Sequence, residues 1–350
     1  FTKDDGELHP WSTWPTVHRG VCNKIHNIRY INQDLKASKE YKPIWEILSD
    51  NDKTIGIFGS LQSYPPYINK NVYFYLPDTF APDSKAYPEE VSEFQSLNLS
   101  LVSDNKAVSR QINRKQIINF CKLLVKNTIS IRSSFKTFIH ITKELLNKKY
   151  KTRRAVLQTV ISFDLYLKSL EKTKPQFSTY FTNHLAGMMH RYWKHLFPED
   201  FNDSKKNIDK FHSKSILKAM DIVDYQLGRL INFSKKNGYD LWIISSMGQK
   251  AIERKEYIPE LFLQDLKPLI NVLNLDEKLF NLVPAMQPDI CITSKDKSSL
   301  DLLRKSISNV KDSSGNKIFI QRYEPIGLTL NLSLYRSADV ASSKNIYINN

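Results

Sequence analysis

The sequence predicts an α/β fold, with a mainly parallel central sheet covered by helices on both faces and a basic helical insertion. Three observations predict it. Apolar runs of strand length alternate with stretches of helical period; several of the runs end in Gly, Ser, Asn or Asp; and one glycine-free helical stretch holds nearly all of the excess charge. With 350 residues, 41% of them hydrophobic, the chain can bury one large core or two moderate ones.

The elements follow in order. An N-terminal loop runs around His9, Thr13 and Thr16. Apolar positions in 41–48 predict a short helix, and 53–60 (KTIGIFGS) predicts a buried strand closing on a Gly-Ser turn. Val72–Leu76 (VYFYL) is a second strand, followed by the turn-rich stretch PDTFAPDSKAYP, long enough to carry function. From 109 to 170 the period is helical, through Ile112, Ile117, Ile118, Leu123 and Leu124, then Phe138, Ile141 and Leu145. Residues 177–181 (FSTYF) predict a strand leading into a helix over 184–195. A strong amphipathic helix over 216–233 ends at Lys235-Lys236-Asn237-Gly238, and 241–245 (LWIIS) predicts a buried strand. Late strands are expected at 289–293, 318–321 and 328–332, with a helix at 298–306. The organisation expected is 1–105 and 175–350 as two parts of an α/β core, with 106–174 as the basic helical insertion. In mainly parallel sheets, sites gather at the carboxyl ends of strands, so Gly59-Ser60, Asn183-His184 and Ser245-Ser246-Met247-Gly248 are where chemistry is expected.

Net charge is +15, and between Lys106 and Lys174 there are 17 Lys and Arg against Glu144, Asp164 and Glu171. Such a cluster attracts anionic partners, whether a small molecule, a glycan or a lipid. No P-loop, no Gly-rich dinucleotide turn after a strand and no RNA-binding signature is present. Apolar runs such as 241–244 fall far short of the roughly 20 residues a membrane-spanning helix needs. The chain opens Phe-Thr-Lys-Asp-Asp with no charged-then-apolar leader, which favours a soluble, cytoplasmic protein. Cys22, Cys121 and Cys291 are widely spaced and odd in number, and read as free thiols.

Arg19-Gly20 and His26-Asn27-Ile28 hold the spacing of a TG pair and an HGI turn. Thr182-Asn183-His184 with His190-Arg191-Tyr192-Trp193 forms a middle motif, and 221–230 (DIVDYQLGRL) followed by Ser245-Ser246-Met247-Gly248 forms a third. In this order the three resemble the signatures of the type I phosphodiesterase and nucleotide pyrophosphatase group of the alkaline phosphatase superfamily. The resemblance covers 7–60 and 175–250, roughly a third of the chain. It implies an alkaline phosphatase-like fold and a hydrolase of phosphate or sulfate esters with a remodelled site. His9, Thr13 or Thr16 would be catalytic, Asn183, His184, His190 and Ser246 would hold metal, and Arg19 and Arg191 would bind substrate.

The implied cofactor is a divalent cation, Zn or Mn, or none at all. Ser246 and Met247 stand where the family has a metal-binding Asp and His, and neither is a good ligand for such an ion. The family's first metal-binding Asp and last His have no counterpart in 1–350, which implies truncation at both ends. The residues also admit plainer readings. His184 and His190, six apart on one helix, point about 120° from overlap, which suits a helix cap and aromatic packing with Tyr192 and Trp193. His26 suits a structural turn. The alternative function is a catalytically inactive homologue that binds an anionic glycan, lipid or other polyanion.

Overall fold

A computed structural model describes residues 4–5, 8–31, 33, 35, 40–102, 129–201, 208–252, 263, 265–283, 285, 289–312, 314–321, 324–334 and 347–348. The chain divides into two compact units, one of Phe1–Lys42 with Arg254–Asn350 and one of Pro43–Glu253. The part of the expected basic insertion between 106 and 128, Cys121 included, lies outside the described residues.

The first unit opens with two helices, α1 (Pro10–Arg19) and α2 (Asn23–His26). The expected loop around His9–Thr16 is thus a helix. Two prolines in ten residues read as breakers, yet Pro10 occupies the first turn, where its missing N–H has no intrahelical partner to lose. Gly20 closes α1 at φ 68° and donates its N–H to Thr16 O at 2.9 Å, a left-handed cap that suits glycine.

In the second unit, α3 (Ile44–Asp50), β1 (Ile55–Phe58) and β2 (Val72–Leu76) follow in order. Then come α4 (Glu89–Val102), α5 (Ile131–Leu146), α6 (Arg154–Thr173), β3 (Phe177–Tyr180), α7 (His184–Leu196) and α8 (Ser215–Asn237). The strands form a three-stranded parallel sheet in the order β2-β1-β3, with Ile55 opposite Val72 on one side and Phe177 on the other. Both faces are covered, as the near-continuous apolar strands require. Ile55, Ile57, Val72 and Tyr75 pack with Trp45 of α3. Phe58, Phe74 and Leu76 pack on the other face with Phe94 of α4, Phe163 and Tyr166 of α6 and Phe233 of α8. Helices α6, α7 and α8 share a further core through Val160, Met188, Tyr192, Ile216 and Ala219.

The remainder of the first unit carries α9 (Leu266–Val272), β4 (Phe280–Val283), β5 (Ile290–Ser294) and α10 (Lys297–Ser308). After these come β6 (Val310–Lys311), β7 (Phe319–Ile320), β8 (Thr329–Leu334) and β9 (Tyr347–Ile348). Strands β4-β5-β8-β7 form an antiparallel sheet on which Ile270, Leu300, Leu303 and Ile307 pack.

The architecture is therefore mixed α/β, and the single, mainly parallel sheet expected is corrected on two counts. The late strands form where expected but pair antiparallel in the other unit. The predicted buried strand 241–245 is neither buried nor paired: Trp242 is 79% and Ile243 73% exposed, and among the described residues β3 has no partner on its outer edge. A short apolar run states a preference for burial and names no strand to pair with. No helix of the described residues is long and apolar enough to cross a membrane.

Gly56, in the middle of β1, is required by packing. A Cβ there would overlap the ring of Phe74, which is 2% exposed. Gly56→Ala is expected to cost about 1–3 kcal/mol through overpacking, read as a lower urea midpoint. An unchanged midpoint would mean that the Phe74 ring moves aside freely.

Candidate functional site

The carboxyl ends of parallel strands are where α/β sheets place ligands. At the end of β1 the chain turns through Gly59, φ 73°, where Phe181 O lies 3.4 Å from the Cβ position. Ser60 then meets Thr179 of β3, hydroxyl to hydroxyl, at 2.8 Å. Beyond β3, Thr182 and Asn183 lead into α7, whose first residue is His184.

The His184 ring is wired on both sides. Nε2 lies 3.3 Å from Ala219 O, which can only accept, so the ring proton sits on Nε2. Nδ1 then accepts from the Thr182 hydroxyl at 2.8 Å, and Thr182 in turn meets Thr159 at 3.3 Å. Burial pushes His184 down to about 4, so it is neutral at pH 7.

At the end of β2 stands Asp78, a residue that sequence reasoning missed. Its carboxylate accepts from the N–H of Phe80 at 2.8 Å and of Ser63 at 3.4 Å, and Gln95 Nε2 donates to its carbonyl at 2.9 Å. Burial raises it to about 6 against those backbone donors. The available signal was a Pro-Asp pair directly after an apolar strand.

The other residues expected in this unit lie apart from that wiring. His190 is exposed where His184 is buried, as their spacing on one helix dictates. Its Nε2 accepts from Gln249 Nε2 at 2.8 Å, and burial of part of the ring lowers its pKa. Arg191 is half-buried, and burial lowers its pKa too. Ser246 sits at a bend beside Ser245, whose hydroxyl donates to Met247 O at 2.6 Å.

As arranged, Asn183, His184, His190 and Ser246 do not fit a divalent cation. One imidazole has both nitrogens committed, the other has its acceptor nitrogen on an amide, and the remaining oxygens are neutral. Among the described residues no group of three or more His, Cys, Asp or Glu is placed to hold a metal.

The first unit holds His9, Thr13, Thr16 and Arg19 on or beside α1. His9 stacks on Trp11 at 4.7 Å between ring centres, and burial lowers its pKa while Asp289 opposes the shift. The Thr13 hydroxyl returns to His9 O at 3.1 Å. Thr16 is 1% exposed and belongs to a directed chain. Ile28 N–H donates to His26 Nδ1 at 2.9 Å, which places the ring proton on Nε2. Nε2 donates to Thr16 Oγ1 at 2.9 Å, and Thr16 donates to Asp4 at 2.8 Å. A nucleophile is activated by a base that accepts its proton, whereas His26 gives Thr16 a proton. Burial, then the charge of Arg19, pushes His26 down to about 4.

The second unit also carries the described part of the basic segment. Ser130 caps α5 by accepting from Ser133 N–H, and its own N–H and hydroxyl bond Asp164 Oδ2 at 3.0 and 2.6 Å. From 131 to 154 there are eight Lys and Arg and one acid, Glu144. Glu144 is buried. Burial would raise its pKa, but hydrogen bonds from His140 at 3.0 Å and from Arg154 at 2.9 and 2.6 Å take it down to about 2. Arg132 and Lys136 lie over the Tyr225 ring, each 4.7 Å from its centre, and Arg153 lies 3.8 Å over that of Phe211.

These shifts fix a pH dependence. His18, pushed to about 3 by burial, His26 and His184 have folded values below the ordinary 6.5. As pH falls from 6.5 towards 4 the unfolded chain takes up protons that the folded one refuses, so stability falls. Asp78 works the other way between 3.8 and about 6, one group against three. The urea midpoint is expected to drop between pH 7 and pH 4, and His184→Gln to flatten that drop. An equal drop in the variant would show that His184 does not contribute.

Comparison of the chain with protein-family models, with curated proteins and with solved structures gave no match.

Proposed function

We propose that this chain is a binding protein for an anionic partner, which it engages through the basic helical layer around α5. One observation carries the reading: from 131 to 154 the single acid is buried and consumed by Arg154 and His140, so the charge left facing outward is positive. Arg132, Lys143, Lys148 and Lys149 are exposed there, and among the described residues only Lys149 of these four meets a carboxylate, Asp209, at 2.7 Å. A field of one sign attracts phosphate-, sulfate- or carboxylate-bearing chains and makes affinity fall with salt. Binding to heparin, used as a soluble polyanion, is expected to weaken linearly in log affinity against log salt. The triple variant Arg132→Glu, Lys143→Glu, Lys148→Glu is expected to lose about tenfold or more, with a shallower salt slope and a melting temperature lowered by about 2–4 °C or less through the loss of the Arg132–Tyr225 contact. Binding equal to that of the unaltered chain would sink the reading.

A second reading, a hydrolase of phosphate or sulfate esters, is supported by the position of Ser60, Thr179, Thr182 and His184 at the carboxyl ends of β1 and β3. It predicts turnover of bis-p-nitrophenyl phosphate or an aryl sulfate that is lost on His184→Ala, whereas His190→Ala, outside that cluster, leaves it unchanged. No turnover under any of these conditions would leave the binding reading alone.

A further inference from the structure

Helix α5 is amphipathic in the inverse of the usual sense. At 100° per residue, Ile131, Phe135, Phe138, Thr142, Leu145 and Leu146 fall within an arc of about 100°. That arc faces solvent: Ile131 is 88%, Phe138 67%, Leu145 82% and Leu146 83% exposed. The opposite arc, holding Ser133, Thr137, His140 and Glu144, is the one turned inward, and three of these four are fully buried.

The inward face is held by polar contacts. Glu144 is gripped by Arg154 of the next helix and by His140, and the cap residue Ser130 is tied to Asp164 of that same next helix. The apolar stripe is therefore not what fixes the helix in place. It runs the full length of α5, about 24 Å at 1.5 Å per residue, and contiguous apolar surface of that kind marks a contact site.

What borders the stripe selects its partner. Arg132, Lys136 and Lys143 lie along one flank of the helix, and Lys148 and Lys149 follow its C-terminal end. The only acid on α5, Glu144, points the other way. A straight apolar stripe edged by cations of one sign matches a surface with hydrocarbon below and phosphate beside it. Long Lys and Arg stems reach outward to the phosphates while Phe and Leu enter the headgroup–acyl boundary.

We propose that the anionic partner is an anionic lipid bilayer, and that α5 lies in its interface with Ile131, Phe135, Phe138, Leu145 and Leu146 inserted. The proposal rests on the basic-layer reading above and adds to it the apolar contact, which a soluble polyanion does not use.

The test compares co-sedimentation with phosphatidylcholine–phosphatidylserine vesicles, co-sedimentation with phosphatidylcholine vesicles, and heparin binding. It uses the full chain, the apolar variant Phe138→Asp, Leu145→Asp, and the charge variant Arg132→Glu, Lys143→Glu, Lys148→Glu. The full chain is expected to pellet with the anionic vesicles. The apolar variant should lose about tenfold or more of that binding while keeping heparin binding and melting temperature. Vesicle binding unchanged in the apolar variant overturns insertion and leaves the electrostatic reading standing. Heparin binding without vesicle binding by the full chain overturns the bilayer alone, and absence of both overturns both. A melting temperature that falls by several degrees in the apolar variant, or a dimer that this variant abolishes, assigns the stripe to the chain itself or to a second copy and overturns the proposal.

Discussion

The second unit depends on one non-local pairing, that of β1 with β3. Ile55 and Phe177 are parallel partners 122 residues apart, so the chain must close a long crossover before the middle strand gains its second neighbour. What compensates is burial on both sides. Ile55 and Ile57 are fully enclosed against α3, while Phe58 and Phe74 meet α4, α6 and α8. Gly56 then sets how closely Phe74 can approach the middle of the sheet.

That pairing also brings the polar groups together. Ser60 reaches Thr179 because β1 and β3 end level with each other, and Thr182 reaches His184 because α7 starts two residues beyond. His184 and His26 sit in separate units yet follow one rule. Each gives its single ring proton to a fixed acceptor, Ala219 O or Thr16 Oγ1, and each accepts on the other nitrogen. Burial keeps both neutral, so both act as fixed connectors with a defined tautomer. The resemblance implies metal binding at His184 and catalysis at Thr16, the residue that His26 bonds, and the wiring supplies a structural use for both.

The strands at 53–60, 72–76 and 177–181 are legible from sequence because each is a short apolar run with a turn signal beside it. The helix at 216–233 is legible because its stripe and its Gly238 stop agree. What was not legible has specific causes. The run at 241–245 has the composition of a buried strand, but pairing depends on a partner edge that no local pattern encodes. Helix α1 hides behind Pro10, at its first turn, and Pro15, inside it, since sequence alone does not show that either breaker is tolerated. Helix α5 is legible as a helix, but period alone does not say which of its arcs turns inward; buried Ser133, Thr137 and Glu144 reverse the ordinary expectation. Asp78 shows its character only through burial, which a Pro-Asp pair does not announce.

The first unit is discontinuous: Phe1–Lys42 and Arg254–Asn350 belong together, and Cys291 and Glu324 from the later stretch lie against Ile31 and Tyr30 from the earlier one. Between the two stretches stand the 211 residues from 43 to 253. At a ribosomal rate of roughly 5–20 residues per second, the early stretch waits on the order of 10–40 s for its partner to be made. The hydrophobic clusters of the inserted unit are built, among the described residues, from residues within 43–253. The order of synthesis therefore has the inserted unit complete first, with Tyr30 and Ile31 lacking their later partners meanwhile, the interval in which a nascent chain most needs a chaperone.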